Sequence, residues 1–344
     1  MHKYLRGNSI SSHPGSRITQ RYKSRSNSAN LVQSKNSQPT TNKEGEFFMN
    51  EQISFDAILP VGMAAKAEDL GVKKTNMKTA NMFTLAILAG GFISMGAIFA
   101  TTVATGSMPI KDAAGLIVFS TGFPYGVIRL LMGLVFSIGL ILVVVGGAEL
   151  FTGNTLIIMA FASRKVTFAK VMRNWTIVYI GNFIGSVFTA YIMFLGKQYL
   201  FSGGAVGLTA LSIGEAKTSL EFVQAVALGI MCNILVCLGV WMSYSARSTT
   251  DKIMSVTLPV ACFIAAGFEH SVANMYYIPF ALFVKNFGDP KLFEMIGKTA
   301  ADFPHLTWSN FFIANLLPVT IGNIIGGAVM VGMIYWFIYI RKTD

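Results

Sequence analysis

The chain has 344 residues, of which 53% are hydrophobic and only 12% charged, with a mean hydropathy of +0.56. A soluble globular domain carries roughly 25% charged residues, so that class is excluded and a polytopic membrane protein is left. The net charge of +11 does not call for a nucleic-acid partner, because residues 1–48 hold eight Lys and Arg against two Glu and supply most of it.

Those first 48 residues are rich in Ser, Asn, Gln and Arg with few apolar clusters. Burial there cannot offset the entropy of ordering, and a disordered basic tail is expected. The Ser/Arg-rich, acid-poor composition also fits an organellar transit peptide or a regulatory tail. A third reading is preferred: Lys43-Glu44-Gly45 can be encoded by AAGGAGG, a ribosome-binding sequence, shortly before Met49, which makes residues 1–48 an over-called start. Residues 49–78 then read as a cytoplasmic amphipathic segment. Within it, Val61 to Leu70 carries Lys66, Glu68 and Asp69 on the polar side of a helix expected to lie on the membrane surface.

Six apolar runs follow, at about Thr79–Val103, Val127–Ala162, Trp175–Leu195, Phe222–Tyr244, Ile253–Phe283 and Phe311–Ile340. Each is long enough for the roughly 20 residues that a spanning helix needs, so a six-span domain is predicted over 79–341. With the N-terminus inside, the inner loops carry twelve Lys and Arg and the outer loops seven (Lys111, Arg129, Lys197, Lys217, Lys285, Lys291 and Lys298). This bias predicts that both termini are cytoplasmic. The second and fifth runs are interrupted by Gly146-Gly147, Gly153-Asn154, Gly267 and Asn274, residues that disfavour continuous helix. Irregular backbone at membrane depth is tolerated where protein or a water-filled cavity satisfies it, so these two spans are expected to break.

Polar groups collect at the expected breaks. Gly267-Phe268-Glu269-His270-Ser271-Val272-Ala273-Asn274 repeats the Gly, Glu and Asn spacing of Gly147-Ala148-Glu149-Leu150-Phe151-Thr152-Gly153-Asn154. Ionisable groups inside a span are costly enough to be functional by default. Asn174 to Gly185 also matches Asn315 to Gly326 without a gap, at Asn, Val, Ile, Gly, Asn, Ile and Gly. Residues 79–200 and 222–341 therefore read as two three-span repeats. An odd number of spans per repeat requires opposite insertion, the inverted design that places substrate sites at broken helices near the midplane.

Cys232, Cys237 and Cys262 sit in apolar runs without a CxxC spacing and read as small core residues, so neither a disulfide framework nor a zinc site is indicated. Glu149 and Glu269 with one deep histidine make a poor metal set, and no nucleophile and base pair is visible. No cofactor and no enzymatic activity are expected.

Gly147 to Thr152, Asn174-Trp175, Trp241-Met242-Ser243-Tyr244-Ser245, Gly267 to Asn274 with Ile278-Pro279, and Pro318 to Asn323 together resemble the formate/nitrite transporter family, nearest its formate-channel branch. The resemblance runs from about Phe55 to Arg341 and leaves out the tail. It implies an all-α, aquaporin-like protomer with its own pore, assembly into a homopentamer in a bacterial inner membrane, and passage of small monovalent anions. Formate comes first among these, with nitrite, acetate and hydrosulfide as alternatives. Carried over by matching segments, the central histidine is His270 and its hydrogen-bonding threonine Thr152. The apolar constrictions are Phe136, Leu140, Phe151, Val236 and Phe263, the pore-region asparagines Asn233 and Asn323, and the mouth lysine Lys74, with Lys73 adjoining it.

The residues alone leave blander readings open. Glu149 and Glu269 read as structural acceptors for helix N–H groups or a lysine, or as direct contacts of the ion. Phe136, Leu140, Phe151 and Phe263 are by default packing or lipid-facing groups, and Asn233 and Asn323 can simply join helices. Gly181, Gly185, Gly322 and Gly326 have the spacing of close helix packing.

Magnitudes shape the expected mechanism. Moving a carboxylate-sized ion into a low dielectric costs on the order of 20 kcal/mol before relaxation. Protonating an acid of pKa about 4 at pH 7 costs about 4 kcal/mol. A histidine between apolar rings suits that exchange, since its charge changes near neutral pH. In the alternative, His270 stays neutral and only donates a hydrogen bond. A neutral small-solute channel is the runner-up class, although no Asn-Pro-Ala turn occurs.

Overall fold

The computed structural model describes residues 57–105, 110–111, 117–119 and 123–341. The expected tail, residues 1–48, lies outside them. The first helix, α1, spans Pro60–Thr75, with proline at the start where its missing N–H costs nothing. It is longer than the predicted Val61 to Leu70, and one expectation about it fails. Glu68 is buried rather than on a polar outer face, and it accepts a 2.9 Å bond from Lys165 Nζ. The reason is that α1 packs on protein at Ile157 and Ala160, with Gly71 against both, instead of resting on lipid alone.

Helix α2 (Thr79–Ala104) and α3 (Tyr125–Gly146) follow, joined by a segment in which Ile110–Lys111 pairs antiparallel with Ile117–Phe119. That short ladder is a small departure from an all-helical chain. Helix α3 ends at Gly147 in the left-handed conformation (φ 73°), where a glycine carries no Cβ penalty. After a short extended stretch the chain resumes as α4 (Phe151–Asn154) and, through one tighter turn, α5 (Ile158–Ala162). Helix α6 (Phe168–Leu195) completes three spans.

The second half repeats this order. Helix α7 (Ala205–Thr218) precedes α8 (Phe222–Ser245) and α9 (Thr249–Ala266), and α9 ends at the left-handed Gly267 (φ 78°). The chain restarts as α10 (Ser271–Phe287), followed by the short α11 (Pro290–Ile296) and a last span over Trp308–Tyr339. The predicted runs Val127–Ala162 and Ile253–Phe283 thus each resolve into one spanning helix and one shorter helix entering from the break. The last span widens to π-helical turns at Phe311–Leu316 and Ile325–Met333. Pro318 lies just after the first, and its missing N–H disrupts the ordinary ladder there.

Among the described residues, six helices are long and apolar enough to cross a membrane. Helix α7 is not: its 14 residues reach about 21 Å, short of a hydrocarbon core of about 30 Å. No element was expected between Leu195 and Phe222, because α7 mixes Gly, Thr, Ser and Lys with its apolar residues. Helix α2 packs on α3 and α6, α8 packs on α9 and the last span, and α3 against α9 joins the halves. Close approach is set by glycine. A Cβ on Gly185 would lie 2.0 Å from the Ile87 carbonyl, and one on Gly326 would lie 2.2 Å from that of Ile230. Cys232 and Cys237 are buried as expected, but Cys262 is exposed on the outer face of α9.

Candidate functional site

The two breaks come together at the centre. Thr152, second residue of the helix entering from the first break, shares a 3.0 Å hydrogen bond between its Oγ1 and Nε2 of His270. His270 caps the helix entering from the second break, its Nδ1 accepting from the Ala273 N–H at 3.0 Å. Both residues are buried. The Phe263 ring stacks on the imidazole at 5.9 Å with an interplanar angle of 14°, and Phe136 meets Phe263 edge-on. Phe151 lies edge-on to Tyr179 and Trp175. Phe136, Leu140, Phe151, Val236 and Phe263 are all buried within the protomer, so none of them faces lipid.

Each break is held by one asparagine. Asn182 Oδ1 accepts from Phe151 N–H at 2.9 Å, while its Nδ2 donates to the carbonyls of Ala86 and Glu149. Asn323 repeats this set with Ser271 N–H at 2.9 Å and the carbonyls of Gly229 and Glu269. Four backbone groups at the two breaks, the N–H of Phe151 and Ser271 and the carbonyls of Glu149 and Glu269, are satisfied at membrane depth in this way, while the carbonyls of Ala86 and Gly229 tie each asparagine to a neighbouring helix. Asn233 Nδ2 donates to Asn323 O at 2.6 Å and more weakly to Thr152 O and Thr155 Oγ1. Asn233 Oδ1 and Ser271 Oγ have no partner in the protein among the described residues.

The glutamates are tied by cations and amides. Glu149 pairs with Lys74 at 2.6 Å and accepts from Asn154 Nδ2 at 2.7 Å, and Asn154 in turn bonds Asn174. Glu269 pairs with Lys217 at 2.7 Å and accepts from Asn274 Nδ2 at 2.7 Å, and Asn274 bonds Asn315. Of the two adjoining lysines it is Lys74 that reaches the glutamate, and its neighbour Lys73 is exposed. The duplication reaches beyond the predicted limits 79–200 and 222–341. Thr75 Oγ1 bonds Gly71 O in α1 as Thr218 Oγ1 bonds Gly214 O in α7.

In the sequence Lys217 reads only as a loop charge. It precedes Phe222 by the same five residues by which Lys74 precedes Thr79, a spacing visible in the chain. The two lysines sit at opposite ends of the span bundle. Lys66 of α1 bonds the Tyr244 carbonyl at the end of α8, whereas Lys217 precedes the start of α8, about 36 Å away along its 24 residues. A cavity of about 400 Å³ opens at the Lys74–Glu149 end, with Leu140 and Leu150 in its lining. Among the described residues there is no cluster of three or more His, Cys, Asp or Glu able to hold a metal ion.

A sequence profile described as "Formate/nitrite transporter" matches residues 61–337. The formate channel FocA of Escherichia coli (strain K12) is 44% identical over 296 residues, covering 86% of this chain and 99% of that protein. FocA of Haemophilus influenzae is 38% identical over 294 residues, with 86% and 98% covered. A solved structure described as a pentameric formate channel with formate bound superposes with a TM-score of 0.70 at 47% identity, covering 76% of this chain and 98% of that one. The duplicated polar frame, the six spans and these matches identify an integral membrane protein, and the chain belongs to the formate/nitrite transporter family.

Proposed function

We propose that this protein is a formate channel: a homopentamer in a bacterial inner membrane, both termini cytoplasmic, each protomer passing formate through its own pore. The observation that carries the proposal is the Thr152–His270 hydrogen bond where the two broken spans meet. Relatives named as formate channels, and a pentameric one with formate bound, support the substrate and the assembly. Nitrite is the second reading, favoured by the family's description. Residues 49–78 stand as a segment on the cytoplasmic face and 79–341 as the pore domain. Two repeats inserted in opposite senses account for the duplicated hydrogen bonds.

The pathway runs from the Lys74–Glu149 pair past Leu140, Phe136, Phe151, Val236 and Phe263 to the Lys217–Glu269 pair. Two helix N-termini point toward the centre, and their positive ends favour an anion there. Because Nδ1 of His270 accepts the Ala273 N–H, the ring hydrogen of the neutral imidazole is on Nε2 and donates to Thr152 Oγ1. The Thr152 hydroxyl hydrogen is then free to bond a carboxylate oxygen, and Ser271 Oγ offers a second donor. This favours the reading in which His270 stays neutral and donates, with passage passive, over the one in which it lends a proton.

Anion-dependent uptake into proteoliposomes tests the function, with formate, nitrite, hydrosulfide and lactate compared at two pH values. Formate uptake well above that of empty liposomes is expected. Uptake no faster than in empty liposomes for all four would overturn the channel reading.

A further inference from the structure

The cavity of about 400 Å³ at the α1 end is lined by four lysines, Lys66, Lys73, Lys74 and Lys252, against one carboxylate, Glu149. Glu149 is taken by Lys74. Lys66 Nζ donates to the Tyr244 carbonyl at 2.7 Å, a bond that leaves its charge unneutralised. Lys73 and Lys252 make no hydrogen bond or ion pair among the described residues. Lys66 and Lys252 are both half-buried, and burial, together with the Lys252 charge, holds the Lys66 ammonium below its ordinary value. Three like charges around a partly enclosed cavity repel one another until an anion joins them.

The opposite mouth lacks this feature. By the registers that align Lys74 with Lys217 and Glu149 with Glu269, the counterparts of Lys66, Lys73 and Lys252 are Thr209, Ala216 and Met132. The further cations at that end include Arg129, taken by the carbonyls of Ile264 and Ala265, and Lys285, taken by those of Phe303 and Leu306. The three extra cations therefore do not belong to the duplicated frame, and the Lys74–Glu149 pair does not use them.

We propose that this cavity binds a small multiply charged oxyanion between Lys66, Lys73 and Lys252, and that its occupation blocks the pore from the α1 side. Coulomb attraction scales with the product of the charges, so an anion of charge three or four gains several times what formate gains in the same place. The same charge prevents passage, because the cavity lining also includes the apolar Leu140, Val143, Val144 and Leu150, the apolar rings Phe136 and Phe263 lie further along the proposed pathway, and desolvation cost rises steeply with charge. The chemistry fits a phosphate-bearing compound or a polycarboxylate.

The blocking role rests on the formate-channel reading, and one experiment separates the two. Formate current is recorded in planar bilayers at fixed ionic strength, with pyrophosphate or citrate added to one side at a time. Current without blocker tests the channel. Block from one side only is expected, with block by pyrophosphate alone assigning phosphate compounds and block by citrate alone assigning polycarboxylates. In K66Q/K252Q the half-blocking concentration should rise tenfold or more, with unblocked current within about threefold of the wild type. Lys73→Gln, on an exposed side chain whose loss cannot disturb packing, should raise it about threefold and covers the case in which the double variant fails to assemble. Formate current that neither anion reduces from either side, or block of equal strength in the wild type and the charge-removed variants, overturns the proposal.

Discussion

Lys74 and Lys217 occupy the same place in two copies of one hydrogen-bond network. Each pairs at 2.6 or 2.7 Å with a buried glutamate two residues after a left-handed glycine, and each glutamate is shared with an asparagine five residues on. Removing one partner of such a pair leaves an uncompensated charge in a low dielectric, at a cost of about 3–5 kcal/mol. Glu149→Ala and Glu269→Ala should each lose about that much and differ little from one another. Thermal unfolding of the detergent-solubilised protein checks this; a large effect at one site with none at the other would show that the two networks carry unequal loads.

The lysines have a further consequence for transport. Lys74→Gln leaves the Glu149 carboxylate unpaired at the mouth, where it repels an anion, and formate flux should fall at least tenfold at low ionic strength. Adding Glu149→Gln removes that charge, and the double variant should recover part of the flux. A double variant that is no better than Lys74→Gln would mean that the lysine itself, and not the balance of charge, is needed.

His270→Asn keeps the helix cap, since its Oδ1 can accept the Ala273 N–H, and it keeps an amide donor on the Thr152 side, although on a shorter side chain. It removes titration, so formate current should persist within about tenfold of the wild type and lose any response to pH between 5 and 8. His270→Phe removes both bonds, including a helix cap worth about 1 kcal/mol, and should abolish current in a protein that still assembles on a native gel. Wild-type current at every pH in an assembled His270→Phe protein would remove the histidine from the pathway.

Packing gives a prediction independent of function. Gly185→Ala would place a Cβ 2.0 Å from the Ile87 carbonyl, and backbone at a helix contact has no room to retreat. Loss of assembled protein is expected. Gly126→Ala, with nothing within 4 Å of the new Cβ, should assemble as the wild type does. Equal yields of the two, by size-exclusion chromatography, would contradict the tight α2–α6 contact.

The sequence by itself determined the six spans, both helix breaks and the twofold recurrence of Glu and Asn, because a bilayer forces length, polarity and backbone satisfaction to be written locally. An apolar run of about 20 residues, or a glycine beside a glutamate inside one, means the same thing wherever the chain later goes. The identity of the central pair was reached through resemblance rather than spacing. Only the tertiary structure decided what depends on distant residues meeting. It brought Thr152 to His270 across 118 positions, chose Lys74 over Lys73, and turned Lys217 from a loop charge into a glutamate's partner. It drew Glu68 inward to Lys165 and folded α7 from a segment with no clear apolar period. The hydropathy of α1 and α7 is ambiguous because each packs part of its surface on protein, and a residue's own neighbours in sequence do not record which surface will cover it.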